Sequence, residues 1–385
     1  MRNSRRSEVD AFIVMDVMEA ARRAEAAGRH VIHMEVGQPG TGAPAGARAA
    51  LAAALEAGPL GYTVGLGLPE LRARIAGLYR EWYGVDLDPA RVIVTSGASG
   101  AFILAFSALF DAGERVGLGM PCYPSYRQIL KAMSLEAVGM ETRLADRFQP
   151  TPGQVREAGL DGLIVASPAN PTGTILPRAV FADLVGACAE TGTALISDEI
   201  YHGLHHGARA VSALELTDEV YVINSFSKYF SMTGWRVGWM VVPEAHVRSV
   251  ERLAQNLFIC APHASQVAAL AALECGEELE ANRAVYLKNR DVLRAALEGA
   301  GVDRIAPPDG AFYLYADVSR WTEDSLAFSR ELLDAAGVAA TPGLDFDPGR
   351  GHRYLRFSYA GAEAEIAEGA ARVAAFLSAR QVLPD

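Results

Sequence analysis

The stretch Ser225-Phe-Ser-Lys228, continued by Met232-Thr-Gly-Trp-Arg236-Val-Gly-Trp239, decides how the rest of the chain is read. It follows the apolar run 220–224, so Lys228 falls just beyond the end of a strand. Lysine condenses with carbonyl compounds, and pyridoxal phosphate is the commonest carbonyl cofactor held in this way. Small hydroxyl residues around the lysine, with an arginine eight positions on, suit a bound phosphate. A surface lysine in a serine-rich loop is the alternative that this run by itself leaves open.

Outward from that run, short apolar segments at 92–95, 115–118, 163–166 and 194–197 precede 220–224. Helical patterns at 99–110, 177–191 and 245–257 lie between or after them. This alternation predicts an α/β fold, with a mostly parallel sheet flanked by helices on both faces. Before it, an amphipathic helix over 8–27 is expected, with Ser7 as N-cap and Gly28 as its stop. A strand over 31–36 and helices over 47–57 and 69–83 follow, the last with Pro69 in its first turn. After a long helical stretch at 263–300, a strand at 312–316, a helix at 324–336 and a strand at 354–358 predict a smaller α+β part. The expected division is a large domain over 46–285 and a small one made of 1–45 and 286–385.

Composition narrows the classes. A chain of 385 residues, half of them hydrophobic, can bury a sizeable core. The net charge of −11 argues against a nucleic-acid partner, whose phosphates require a basic face. No uninterrupted apolar run reaches about 18 residues, so no membrane span is expected. Cys122, Cys188, Cys260 and Cys275 form no CxxC pair and read as reduced thiols of a cytoplasmic protein.

Each remaining motif has two readings. Thr95-Ser-Gly-Ala-Ser-Gly-Ala101 turns from a strand into a helix, where backbone N–H groups can meet an anion. Tight packing explains many such turns, and the spacing is not that of a dinucleotide fingerprint. Asp198 ends an apolar strand, where α/β sheets bind ligands. It suits a proton on a pyridine nitrogen, a helix N-cap or a Mg²⁺ ion. Tyr201 suits a ring hydroxyl or a plain strand-end aromatic. Asn170, in Asn-Pro-Thr-Gly, is a turn former that can also donate to a phenolic oxygen. Tyr123 can stack on a ring or simply be buried. Arg356 lies inside an apolar strand and requires a partner, either a substrate carboxylate or an internal acid. His202, His205 and His206 read as solvated or supporting histidines in preference to a metal site.

Taken in order, these motifs resemble the class I/II aminotransferases, pyridoxal-phosphate enzymes of the aspartate-aminotransferase fold (fold type I). The resemblance runs from Gly37-Gln-Pro-Gly40 through Gly61-Tyr-Thr-Val-Gly-Leu-Gly-Leu-Pro-Glu-Leu-Arg72 and the motifs above to Gly310-Ala-Phe-Tyr313 and Leu355-Arg-Phe-Ser358. It implies an internal Schiff base at Lys228, a pyridine proton held by Asp198, and ring contacts from Asn170, Tyr201 and Tyr123. It implies a phosphate held by Gly97, Ala98, Ser99, Ser225, Ser227 and Arg236, with Tyr62 reaching it across a homodimer interface. Arg356, Gly37 and Asn170 are implied to bind the substrate carboxylate. The implied activity is ping-pong transfer of an amino group from an L-amino acid to a 2-oxo acid. Ser99 stands where aspartate-specialised relatives often carry lysine, and Phe258 and Ile259 are expected beside the side-chain pocket, so a neutral, aromatic or broad substrate is expected.

Three rivals remain. A C–S β-lyase would share every cofactor residue. A regulator built on this fold carries a DNA-binding head, for which the short segment ahead of Gly37 leaves no room. A nicotinamide-dependent dehydrogenase lacks its fingerprint.

Overall fold

The computed structural model describes residues 1–383. Helix α1 (Ile13–Ala26) and the short strand β1 (Ile32–His33) are followed by α2 (Ala45–Ala57) and α3 (Pro69–Tyr83). Then come β2 (Val92–Thr95), α4 (Gly97–Leu109), β3 (Arg115–Met120), α5 (Pro124–Ala132), β4 (Glu136–Glu141) and α6 (Pro152–Ala158). Next are β5 (Gly162–Ala166), α7 (Arg178–Thr191), β6 (Ala194–Asp198), β7 (Tyr221–Ser225) and β8 (Gly238–Val241). Helices α8 (Val247–Leu257), α9 (His263–Ala272) and α10 (Gly276–Gly299) lead to β9 (Tyr313–Asp317) and α11 (Ser325–Ala336). The short strands β10 (Val338–Ala339) and β11 (Thr341–Pro342) precede β12 (Tyr354–Ser358) and α12 (Glu363–Ser378).

The main sheet has seven strands in the order β2-β8-β7-β6-β5-β3-β4. All neighbours pair parallel except around β8, which is antiparallel to both β2 and β7. Strands β2, β7 and β8 are buried along their length, as expected where both faces of the sheet are covered. Alternate residues serve opposite faces. Val94, Leu163, Val222 and Trp239 pack into one core, and Ile93, Ile164, Ile223 and Met240 into the other.

The direction of β8 positions the site. Because β7 and β8 are adjacent and antiparallel, the end of β7 and the start of β8 lie at one edge, and residues 226–237 arch between them. Thr95 pairs with Gly238, so the start of α4 arrives at the same edge. The carboxyl ends of β3, β5 and β6 lie there too, the position where open α/β sheets bind ligands.

A second sheet, β11-β12-β9, is antiparallel, and β1 pairs in parallel with β10. The segment after β1 is stitched into the C-terminal part: Ser358 N–H donates to the Met34 carbonyl at 2.7 Å. The Thr341 hydroxyl donates to the Glu35 carbonyl at 2.8 Å. Residues near the start of the chain are thus placed by residues near its end.

Several boundaries differ from expectation. The helix expected over 8–27 begins only at Ile13, and Ser7 sits in a separate short turn, Arg5–Ser7. The strand expected over 31–36 is two residues long, because its partner β10 is equally short. Strand β4 escapes the apolar-run criterion because it is an edge strand with mostly half-exposed or exposed residues. The stretch 263–300 is two helices, interrupted at residues 273–275. Residues 384 and 385 of the expected small domain lie outside the described residues.

Candidate active site

At the carboxyl edge of the main sheet lies a cavity of about 530 Å³. Gly37, Ala98, Ser99, Tyr123, Asn170, Asp198, Tyr201, Ser227, Lys228, Arg236 and Arg356 all line it. The sequence separates these residues by up to 319 positions, and the sheet topology brings them together.

Lys228 lines this cavity, half-buried, and its Nζ donates to the Gly37 carbonyl at 2.6 Å. The amine also lies 5.8 Å from the ring centre of Tyr201 and 6.0 Å from that of Phe312. Burial pushes its pKa down to about 7, the Arg356 and Arg236 cations push the same way, and Asp198 opposes them.

Asp198 closes β6. Its carboxylate accepts from the Tyr126 hydroxyl and, at 3.0 Å, from the Ile200 N–H. Burial raises this carboxyl to about 6, against the pull of those two hydrogen bonds and of Lys228. The contact to Ile200 closes a local turn, and no helix starts there, so the N-cap alternative does not apply.

The start of α4 meets Arg236. A Cβ at Gly97, whose φ is +72°, would stand 2.5 Å from the Arg236 guanidinium. A Cβ at Gly238 would stand 2.7 Å from the Asn224 carbonyl and 3.1 Å from the Gly97 carbonyl carbon. Glycine at both places lets backbone amides and a guanidinium crowd one spot. Ser227 faces the cavity, whereas Ser225 lies behind it, its hydroxyl 2.9 Å from that of Ser227.

Arg356 is buried between aromatic faces, 4.4 Å from the Tyr313 ring centre and 4.7 Å from that of Phe346. Its Nη1 donates to Asn170 Oδ1 at 2.9 Å, and Nη2 donates to the Glu35 carbonyl and, at 3.3 Å, to Thr341 Oγ1. Its Nε is buried without a partner. No carboxylate pairs with it among the described residues, so the internal-acid alternative does not hold.

Some expected residues sit elsewhere. Tyr62 is 81% exposed and does not line its own chain's cavity. Phe258 packs against the α4–α8 side of the core and Ile259 is exposed, so neither lines this chain's cavity. The apolar wall comes instead from Phe12, Val14, Met15 and Val36. His202 accepts from the Tyr83 hydroxyl at 2.6 Å and donates to the Ser167 carbonyl at 2.9 Å, a neutral ring that burial holds at about pKa 3. His206 lies 3.0 Å from both the Ala311 carbonyl and the Tyr359 hydroxyl, tying its loop to the C-terminal part.

Sequence reasoning also missed residues. Tyr126, which donates to Asp198, is one helical turn beyond Tyr123 in α5 and carries no motif of its own. Tyr313 meets the Tyr201 hydroxyl at 2.7 Å. Its motif, Gly-Ala-Phe-Tyr, was visible, but its contact was not.

Comparison with known proteins agrees with this geometry. Residues 29–373 match the family model for aminotransferase class I and II. The valine–pyruvate aminotransferase of Mycobacterium tuberculosis is 46% identical over 378 residues, covering 97% of each chain. A crystal structure of an aminotransferase from Mycobacterium tuberculosis superposes with a TM-score of 0.96 at 45% identity, covering 99% of this chain and 100% of that one. The aspartate aminotransferase of Thermus thermophilus, solved with maleate, has a TM-score of 0.91 at 30% identity, covering 97% of this chain and 100% of that one. With a half-buried lysine, a buried carboxylate and a glycine-built cationic corner in one cavity, the chain belongs to the class I and II aminotransferases, fold type I enzymes that use pyridoxal 5'-phosphate.

Proposed function

We propose that this enzyme transfers the amino group of an L-amino acid with an uncharged, apolar side chain to a 2-oxo acid. The observation that carries the substrate class is the cavity lining. Among the described residues, its only basic groups are Lys228, Arg236 and Arg356, and the remaining wall at the N-terminal side is Phe12, Val14, Met15 and Val36. A second acidic group on the substrate would find no cation there. The name of the valine–pyruvate relative points the same way.

The residues present fit the cofactor. Pyridoxal phosphate supplies a protonated conjugated ring that accepts the electrons of a substrate Cα–H bond. Gly97, Ala98, Ser99, Ser227 and Arg236 would hold its phosphate at the positive end of α4, with Ser225 orienting Ser227. Asp198, fixed by Tyr126, would hold the ring-nitrogen proton. Asn170 and Tyr201 would hold the ring hydroxyl, and Tyr123 would cover the ring. Lys228 would bind the carbonyl carbon through Nζ. The Lys228 amine, with a pKa near 7, is well matched to taking a Cα proton at neutral pH. Arg356, with its unpaired Nε, would clamp the α-carboxylate beside Gly37 and Asn170. Such clamping fixes which bond faces the ring, and so favours proton removal.

Exposed Tyr62 and Val64, with Ile259, support a homodimer in which Tyr62 reaches the partner's phosphate. A large part over 46–285 and a smaller one over 1–45 with 286–385 would let the smaller part close over substrate. The four free cysteines fit a reducing cytoplasm. No helix of the described residues is long and apolar enough to cross a membrane.

The test is the visible spectrum of the holoenzyme with single amino acids. Bleaching by valine, and recovery with a 2-oxo acid, is expected. Release of pyruvate and ammonia without bleaching would replace transamination by β-elimination. Borohydride reduction should leave the cofactor's mass on Lys228.

A further inference from the structure

The apolar wall of the cavity is the first turn of α1 and the residue before it. Phe12, Val14 and Met15 face the cavity. Helix α1 begins at Ile13, and its N-cap, Phe12, makes no side-chain capping bond. The first amides of a helix lack intrahelical acceptors and require a partner from elsewhere. Here the partner is Asp345. Its Oδ1 accepts from Ile13 N–H at 3.1 Å and its Oδ2 from Val14 N–H at 3.2 Å. The two ends of this contact are separated by more than 330 positions in the chain.

Asp345 is itself held firmly. It is 3% exposed. Arg127 donates to the Asp345 carbonyl at 2.7 Å and to the Phe346 carbonyl at 3.0 Å. Phe346, the next residue, lies under the Arg356 guanidinium. One short segment, 345–346, therefore touches both the residue that would clamp the substrate carboxylate and the backbone of the wall beside its side chain. Elsewhere α1 packs through Ile13, Val17, Ala20, Ala21 and Ala24 against Val31, Leu333 and Ala339. The Phe12 ring meets the Tyr123 ring edge-on, 5.9 Å between centres.

We propose that Asp345 is a positioning residue for substrate selection: its carboxylate pins the start of α1 so that Phe12, Val14 and Met15 form a fixed wall against the apolar side chain of the substrate. This rests on the apolar-substrate reading above. Asp345 touches neither substrate nor cofactor. Its effect comes from the wall, and it grows with the size of the side chain that the wall covers. A methyl donor such as alanine leaves the wall largely uncontacted, whereas valine or leucine fills the space beside it.

The experiment compares kcat and KM for L-leucine, L-valine and L-alanine in holoenzyme of the wild type, Asp345→Asn and Asp345→Ala. In Asp345→Asn one oxygen becomes a nitrogen that cannot accept, at almost constant volume, so this variant serves if Asp345→Ala fails to fold. The ratio of kcat/KM for leucine to that for alanine is expected to fall about tenfold in Asp345→Ala, the scale set by one or two methylenes in an apolar pocket. The fall should be smaller in Asp345→Asn and should appear in KM more than in kcat. Met15→Ala should lower the same ratio. A leucine-to-alanine ratio unchanged in Asp345→Asn, or an equal loss on both donors, overturns the proposal. Wild-type enzyme that turns over aspartate but no apolar donor overturns the substrate reading instead, a result already visible before any variant is made.

Discussion

The Nζ of Lys228 and the carbonyl of Gly37 are 2.6 Å apart and hydrogen-bonded, although 191 positions separate them in the chain. The arch between β7 and β8 thereby meets the loop after β1, and the amine is held at the boundary between the main sheet and the segment stitched to the C-terminal part.

Gly37 leaves no room for a side chain, because a Cβ there would fall on the Tyr313 hydroxyl. Gly37→Ala should therefore push Tyr313 out of its contact with Tyr201 and displace the Gly37 carbonyl. A misplacement of about 1 Å near reacting groups costs roughly 100-fold in rate. The expected outcome is a loss of that order in kcat/KM, with cofactor still bound, read by steady-state kinetics and by absorbance.

The depressed pKa of Lys228, about 7, follows from burial first and then from the two nearby guanidinium groups. In apoenzyme, labelling of Lys228 by an amine-reactive reagent should rise with pH through an inflection near that value. Arg356→Leu removes one of the cations that disfavour the protonated amine, so the inflection should move upward. Mass spectrometry of the Lys228 peptide across a pH series measures both. An inflection that stays near the ordinary lysine value in the wild type would refute the burial argument.

Gly97 combines a φ of +72° with a guanidinium 2.5 Å from where its Cβ would be. A side chain there strains the backbone by about 1–3 kcal/mol and displaces Arg236. Gly97→Ala should raise the Kd for pyridoxal phosphate by about tenfold or more, since 1.4 kcal/mol is a factor of ten. Equilibrium titration of the apoenzyme would detect it, and the native fold should persist by circular dichroism.

His33 reports on how β1 is fastened. Its ring lies 2.8 Å from Glu35 and 3.1 Å from Glu25, and the hydrogen bond to Glu35 is the main reason its pKa rises from 6.5 to about 9, against burial. A raised folded-state pKa means that the folded protein binds the proton more tightly than the unfolded chain does. The contribution to stability is full below pH 6.5 and is lost as the pH rises through about 9. His33→Gln should flatten that part of the Tm-against-pH curve, and the ring's partial exposure keeps the effect small.

Legibility differed by the kind of signal. Helix α3 and strands β2 and β12 fall where periodicity and apolar runs put them, because each is specified by its own residues. Edge strand β4 and the start of α1 do not, because one lacks a buried face and the other is capped by Asp345 from the far end of the chain. Lys228 and Arg236 were visible as a spaced run, and Asp198 and Arg356 as charges at a strand end or inside a strand, where an uncompensated charge is costly. Tyr126 was not, since nothing local distinguishes a tyrosine that donates to a carboxylate from one that only fills space.

By itself the sequence determined the alternation of strands and helices and the family, and it singled out Lys228 with its small hydroxyl neighbours and Arg236. Those features are local, and each rests on residue types at fixed spacing. Tertiary structure alone decided that β8 runs antiparallel, so that Lys228 and Arg236 share one edge, that Phe12, Val14 and Met15 wall the cavity, and that Arg356 keeps an unpaired Nε. These depend on pairings between segments hundreds of residues apart, and such pairings are set by packing of the whole chain and not by any stretch of it.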